Sequence, residues 1–159
     1  MKIIIAAAIT ILITRHVQLT GFFLITVFVL FLSCKKDDNN TNQYENIPQV
    51  PVNIYLNLDQ PSNFNLTAIG GSINVEGGSR GILIYRDVNA YRAFERHSPH
   101  KSTEQCAVVT ADSSNIFGVE ECDGIQYYLS DGTVASGNSA IPLLQYQTRE
   151  TQGILHIYN

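Results

Sequence analysis

Over most of this chain hydrophobic and polar residues alternate in short runs, and the exception is its beginning. Val52, Ile54, Leu56 and Leu58 fall on one face of an extended segment, with Asn53, Tyr55 and Asn57 on the other. That period of two predicts a half-buried strand. Ser72–Glu76 lies between Gly70-Gly71 and Gly77-Gly78, and Gly81–Arg86 reads as a compact apolar strand. Further strands are predicted over Ala90–Arg96, Gln105–Thr110, Ile116–Glu120, Ile125–Leu129, Leu143–Arg149 and Gly153–Tyr158, spaced closely enough for antiparallel hairpins. Asp131-Gly132, just before Thr133-Val134, predicts a hairpin turn because that pair tolerates the positive φ such a turn demands. No sustained helical period and no internal repeat occurs, so residues 49–159 are expected to form one all-β domain.

Residues 1–33 follow a different rule. They are rich in apolar residues and contain no acid, so much of the 45 % apolar content of the chain is concentrated there. Phe22–Ser33 is an apolar run ending in the small Ser33, followed by Cys34 and then Lys35-Lys36-Asp37-Asp38-Asn39-Asn40. This resembles the end of a bacterial lipoprotein signal, in which the cysteine is lipidated and becomes the first residue. The resemblance implies a signal peptide over 1–33, an acylated Cys34 as the link to a lipid bilayer, and a polar linker over 34–48. An uncleaved membrane anchor over Leu19–Ser33 is the competing reading, although its length barely reaches across a bilayer. Met1–Thr14 forms a separate apolar run, split off by Arg15-His16, so either the signal is long or translation starts later. The implied location is the cell envelope, as an outer-membrane lipoprotein on the periplasmic or surface-exposed face. The charged run after Cys34 resembles a surface-sorting tag, and reads equally as a solvated spacer.

Charge narrows the partners. The formal net charge is −4, and it becomes more negative when Lys2 and Arg15 leave with the leader, so nucleic acid is not an expected partner. Arg80, Arg86, Arg92, Arg96 and Lys101 crowd one stretch, whereas residues 102–148 carry Glu104, Asp112, Glu120, Glu121, Asp123 and Asp131 and no Lys or Arg. No Ser-His-Asp order, phosphate-cradling glycine loop or paired-carboxylate motif stands out, so no catalytic residue is assigned.

From Gly81 onward the order of segments becomes specific. Gly81–Arg86, Ala90-Tyr91-Arg92-Ala93-Phe94-Glu95-Arg96, His97-Ser98-Pro99-His100, Cys106, Cys122-Asp123-Gly124-Ile125-Gln126-Tyr127, Asp131-Gly132, Ser136-Gly137 and Pro142-Leu143 follow one another. In this order and spacing, residues 80–159 resemble a Rieske [2Fe–2S] domain, and residues 50–79 are compatible with one. The resemblance implies stacked antiparallel β-sheets with two loops at a cluster site.

Matched residue by residue, Ser98 stands at the first ligand-cysteine position, His100 keeps the first histidine, and Glu120 and Asp123 stand at the second cysteine and second histidine. Ile125 replaces a serine that hydrogen-bonds the cluster, and Asn138 replaces a proline of the covering loop. A Rieske cluster takes two thiolates and two imidazoles, so three of the four positions lack the required donor. Cys106 and Cys122 match the places where many Rieske proteins carry a disulfide joining the two loops, and the resemblance implies that bond here. His100 reads as a packed or hydrogen-bonded relic. The alternatives are a mononuclear metal site of His97 or His100 with Glu120 and Asp123, and a cluster held by Cys106, Cys122 and the two histidines.

The sequence therefore reads as a membrane-anchored Rieske-like module that has lost its cluster and serves a non-redox binding or structural purpose, without a cofactor and with no enzymatic activity expected. Electron transfer through a [2Fe–2S] centre with variant ligands is the runner-up, and a mononuclear metal-binding protein or enzyme is third.

Overall fold

The computed structural model describes residues 43–159, so the leader, Cys34 and the greater part of the expected linker lie outside the described residues. Ten strands make up the domain: β1 (Asn53–Asn57), β2 (Ser72–Val75), β3 (Ile82–Arg86), β4 (Tyr91–Glu95), β5 (Val109–Ala111), β6 (Phe117–Glu120), β7 (Gln126–Tyr128), β8 (Val134–Ser136), β9 (Gln145–Thr151) and β10 (Ile154–Tyr158). Six of them form one antiparallel sheet in the order β1-β10-β9-β4-β3-β2, and the other four form a second in the order β5-β6-β7-β8. The expected all-β architecture of antiparallel sheets is what the chain adopts.

Two apolar clusters flank the central strands. Ile82, Ile84, Ala93, Tyr146, Leu155 and Ile157 pack with Val52 and Leu66 on one side. Leu83, Phe94, Val109, Ile125, Tyr127, Leu129 and Leu143 pack on the other. Successive residues of a strand point to opposite faces, so Ile82-Leu83-Ile84 reads as an unbroken apolar run because both faces of β3 are covered. β1 has one covered face only, and its residues alternate between half-buried and exposed as the sequence pattern requires.

Three local expectations are corrected. The strand expected over Gln105–Thr110 begins only at Val109, because residues 104–107 turn back to meet other groups: Ala107 N–H donates to Glu104 O and Ser98 N–H to Ala107 O. The hairpin at Asp131-Gly132 is present, with Gly132 at φ +78°, but the loop is wider than a two-residue turn. Leu129 is drawn into the second core, ending β7 at Tyr128, while Asp131 Oδ1 accepts from Thr133 N–H. Within the segment read as linker, Tyr44 and Ile47 are buried, and Tyr44 donates its hydroxyl to Pro142 O at 3.1 Å.

A 3-10 helix over Pro61–Thr67 bridges β1 and β2, and nothing in the hydrophobic pattern announces it. Its Leu66 plugs the first core, and Asn63 donates to Asn57 O at 2.8 Å. The helix packs so closely on the chain beyond it that a Cβ added to Gly71 would lie 1.7 Å from Asn65 O. Gly70 has a positive φ of +84° but open space around it.

The two glycines therefore make a paired test. Gly71→Ala is expected to lower unfolding stability by about 2–4 kcal/mol, since backbone must move. Gly70→Ala should cost only about 1–2 kcal/mol, the strain of a left-handed conformation. Urea denaturation of both variants reads the difference, and equal losses would contradict the close-approach account.

Candidate functional site

β4 leads from the core of the large sheet into the first loop, residues 96–108, and β6 leads into the second, residues 121–125. The loops meet because β5 and β6 pair directly, in the register Val109↔Glu120, so both chains leave the small sheet at the same end. A covalent tie joins them: Cys106 and Cys122 form a disulfide with Cα atoms 5.0 Å apart, as the resemblance implied. Its sequence separation of 16 corresponds to about 3 kcal/mol of stabilisation in the loop-entropy account.

The base of the first loop is organised by a buried carboxylate that sequence reasoning missed. Glu95 is fully buried. Its Oε1 accepts from Arg80 N–H at 3.0 Å and His97 N–H at 2.8 Å, and its Oε2 accepts from Ser79 N–H and the Tyr146 hydroxyl, each at 2.7 Å. A carboxylate is acceptor-only, so four converging donors suit it. Burial, reinforced by the bond to Glu95, pushes the Tyr146 phenol well above its ordinary pKa. The turn before β3 wraps this oxygen so tightly that a Cβ on Gly78 would lie 2.2 Å from Glu95 Oε2, and Gly78 sits at φ +60°. The Gly77-Gly78 pair was the one sequence signal that could have pointed to this contact.

Arg80 extends the same turn into the loop. Its guanidinium donates to the carbonyls of Glu104 at 2.6 Å, Ala107 at 3.1 Å and Gln105 at 3.3 Å. His97 is buried beside it, with Nε2 at 2.6 Å from Ser102 O and Nδ1 at 2.8 Å from Ser79 Oγ. A carbonyl only accepts, so Nε2 carries a proton and Nδ1 meets the serine hydroxyl. Both ring nitrogens are thus engaged within the first loop and the turn before β3.

The four family-matched positions come together in two groups. Ser98, fully buried, accepts from His100 N–H at 3.1 Å and lies 3.2 Å from the Tyr127 hydroxyl. Burial pushes the Tyr127 phenol up, against the opposing effect of its bonds to Ser98 and Ser139. Glu120, also fully buried, accepts the Asp123 N–H on Oε2 at 2.8 Å, while its Oε1 has no partner among the described residues. Across the loops His100 Nε2–H donates to Asp123 Oδ2 at 2.7 Å, and Lys101 Nζ donates to Asp123 Oδ1 at 2.8 Å. Asp123 is thus clasped by both neighbours of the first loop.

A Rieske cluster makes a definite demand on these positions. Two thiolates and two imidazoles are needed. The matched positions offer a hydroxyl, an imidazole and two carboxylates, and the two nearby cysteines are bonded to each other. They do not fit. Among the described residues there is also no group of three or more His, Cys, Asp or Glu side chains arranged to hold a metal ion. His100 and Asp123 contact each other directly, and Glu120 reaches Asp123 through the backbone N–H.

No protein-family model matches the chain, and no curated protein matches it. Among solved structures, the ferredoxin of carbazole 1,9a-dioxygenase from Nocardioides aromaticivorans is similar at a TM-score of 0.46 and 12% identity, over 69% of this chain and 98% of that one. The terminal oxygenase of carbazole 1,9a-dioxygenase from Novosphingobium sp. gives a TM-score of 0.45 and 13% identity over 76% of this chain and 34% of that one. The quaternary ammonium Rieske monooxygenase CntA gives 0.49 and 15% over 73% and 33%. The chain spans about a third of the length of those two oxygenases.

The clasp has a definite pH dependence. The Lys101 ammonium, and after it the His100 imidazole, hold the Asp123 carboxyl below its ordinary pKa. A depressed folded-state pKa contributes stability that is fully present above the unfolded value and is lost as pH falls through the folded one. Urea midpoints measured between about pH 5 and pH 2 should therefore fall more steeply for the natural protein than for Asp123→Asn. Parallel curves would remove Asp123 from the account.

Proposed function

We infer that this chain is an exported lipoprotein whose Rieske-like domain has exchanged its iron–sulfur cluster for a polar clasp and works as a non-redox binding module. The observation that carries this reading is the use already made of the former ligand positions. Ser98 is spent on the first loop and Tyr127, His100 and Asp123 on each other, and Glu120 on the second loop. The clasp and the Cys106–Cys122 disulfide together do the mechanical work that a cluster does when it bonds two loops: they hold the loop pair closed. In this reading the loop end is a preformed, partly charged surface, with the exposed Glu104 and Glu121 flanking the clasp as the acids open to a cationic or polyhydroxy partner.

Incubation of the purified full-length protein with ferrous iron and sulfide under reducing conditions tests the loss of the cluster. The expected outcome is no visible chromophore and no stoichiometric iron. A stable red-brown protein with about two irons per chain would instead establish the electron-transfer reading. Tight uptake of one divalent ion, abolished by His100→Ala, would establish a mononuclear site.

Membrane attachment is proposed to run through acylated Cys34, with the domain held in the cell envelope at the outer membrane. Growth with radiolabelled palmitate should label the natural protein and leave Cys34→Ala unlabelled and unprocessed. A Cys34→Ala chain that is processed and membrane-bound as before would overturn the lipoprotein assignment.

A further inference from the structure

The bond between Ser79 and His97 joins a potential nucleophile to a potential base. Ser79 Oγ lies 2.8 Å from Nδ1 of His97, and Nε2 of the same ring donates to Ser102 O at 2.6 Å. With the proton on Nε2, the lone pair of Nδ1 faces the serine, so the hydroxyl donates and the imidazole accepts. A hydroxyl held against a base that a third group orients is the arrangement that activates a serine. The Ser102 carbonyl takes the orienting place that a carboxylate fills in a triad.

One buried group fixes both partners. Glu95 accepts the Ser79 N–H at 2.7 Å and the His97 N–H at 2.8 Å, so the backbones of the two residues are held on the same carboxylate. The turn that carries the serine borders a cleft of about 460 Å³, whose lining includes Val75, Glu76, Ser79 and Arg96. His97 is buried and Ser79 only half-buried, so the serine stands between the ring and the cleft. Arg96 donates its Nε–H to Val109 O at 2.8 Å, and among the described residues its two terminal nitrogens have no partner. Arg80, also on the cleft, is committed to the first loop, and Glu76 is exposed.

We propose that Ser79 and His97 form a catalytic dyad that hydrolyses small carboxylic esters in this cleft. Ser79 Oγ attacks the ester carbonyl carbon while its proton passes to His97 Nδ1, and the bond from that carbon to the alcohol oxygen then breaks as the same proton passes to the departing oxygen. Water next attacks the acyl-serine and gives a proton to His97 Nδ1, which returns it to Ser79 Oγ as the carboxylic acid leaves. One ester and one water thus yield one acid and one alcohol. The Arg96 guanidinium gives the cleft a positive potential that favours the negative charge developing on the attacked carbonyl. None of the former ligand positions takes part, so the dyad does not depend on whether a cluster binds.

Treating the detergent-solubilised full-length protein with a fluorophosphonate probe, followed by peptide mass mapping, tests the nucleophile, and release of p-nitrophenol from p-nitrophenyl acetate tests turnover. An adduct on Ser79 and hydrolysis above the buffer rate are expected. Ser79→Ala removes one hydroxyl and keeps the backbone donors to Glu95, and it should lose both signals. His97→Gln should slow both by about a hundredfold or more, with circular dichroism checking the fold. Where that variant does not fold, Ser79→Ala decides. No adduct on Ser79, no hydrolysis above the buffer rate, equal hydrolysis by Ser79→Ala, or unchanged rates in a folded His97→Gln would each overturn the proposal.

Discussion

The Glu95 carboxylate is the point at which four donors from three segments of this protein are held in one geometry. Two donors come from the turn at Ser79-Arg80, one from His97 at the mouth of the first loop, and one from Tyr146 on β9. Burying a carboxylate is unfavourable unless its lone pairs are satisfied, and each hydrogen bond to a charged group contributes about 1.5–3 kcal/mol. Each oxygen takes two of the four donors, so losing one leaves a desolvated oxygen with a single partner. β4 and β9 pair over two positions only, Ala93↔Tyr146 and Phe94↔Gln145, so the side-chain bridge between Tyr146 and Glu95 continues their association past the end of the ladder.

From that anchor the loop end follows as a chain of consequences. With the Ser79-Arg80 turn fixed, the Arg80 guanidinium is aimed at the first loop and binds its carbonyls, and His97 is locked between Ser79 and Ser102. The path of the first loop then brings Cys106 to Cys122 and His100 with Lys101 to Asp123. Lys101 adopts a φ of +46°, a conformation disfavoured for a side chain of its kind, and its ammonium is bound by Asp123 of the second loop. Glu120 contrasts with Glu95. It is equally buried but has one oxygen satisfied and one without a partner, so the second loop is the less completely satisfied of the two.

The two ends of the large sheet divide the polar chemistry differently. At the loop end, opposite charges are paired across short distances and serve to close the structure. At the other end, Arg86 is held on an aromatic ring and Glu150 on a backbone N–H, and neither is neutralised by the other.

The strands themselves were legible in the sequence, since period-two alternation in β1 and the doubly covered apolar run of β3 follow directly from which faces are buried. The order of segments from Gly81 onward and the positions of Ser98, His100, Glu120, Asp123, Cys106 and Cys122 were legible too, because they are properties of the chain read linearly. The hub at Glu95 was not, since Ala93, Phe94 and Glu95 are all buried and no alternation marks the glutamate as inward. The wide loop at Asp131-Gly132 and the late start of β5 were decided by Leu129 and Arg80, whose partners are distant in sequence. Local propensity and periodicity fix what each segment can be. Which oxygen meets which donor, and which charges stay unpaired, depends on contacts between segments far apart in sequence, and those exist only once the sheets have closed.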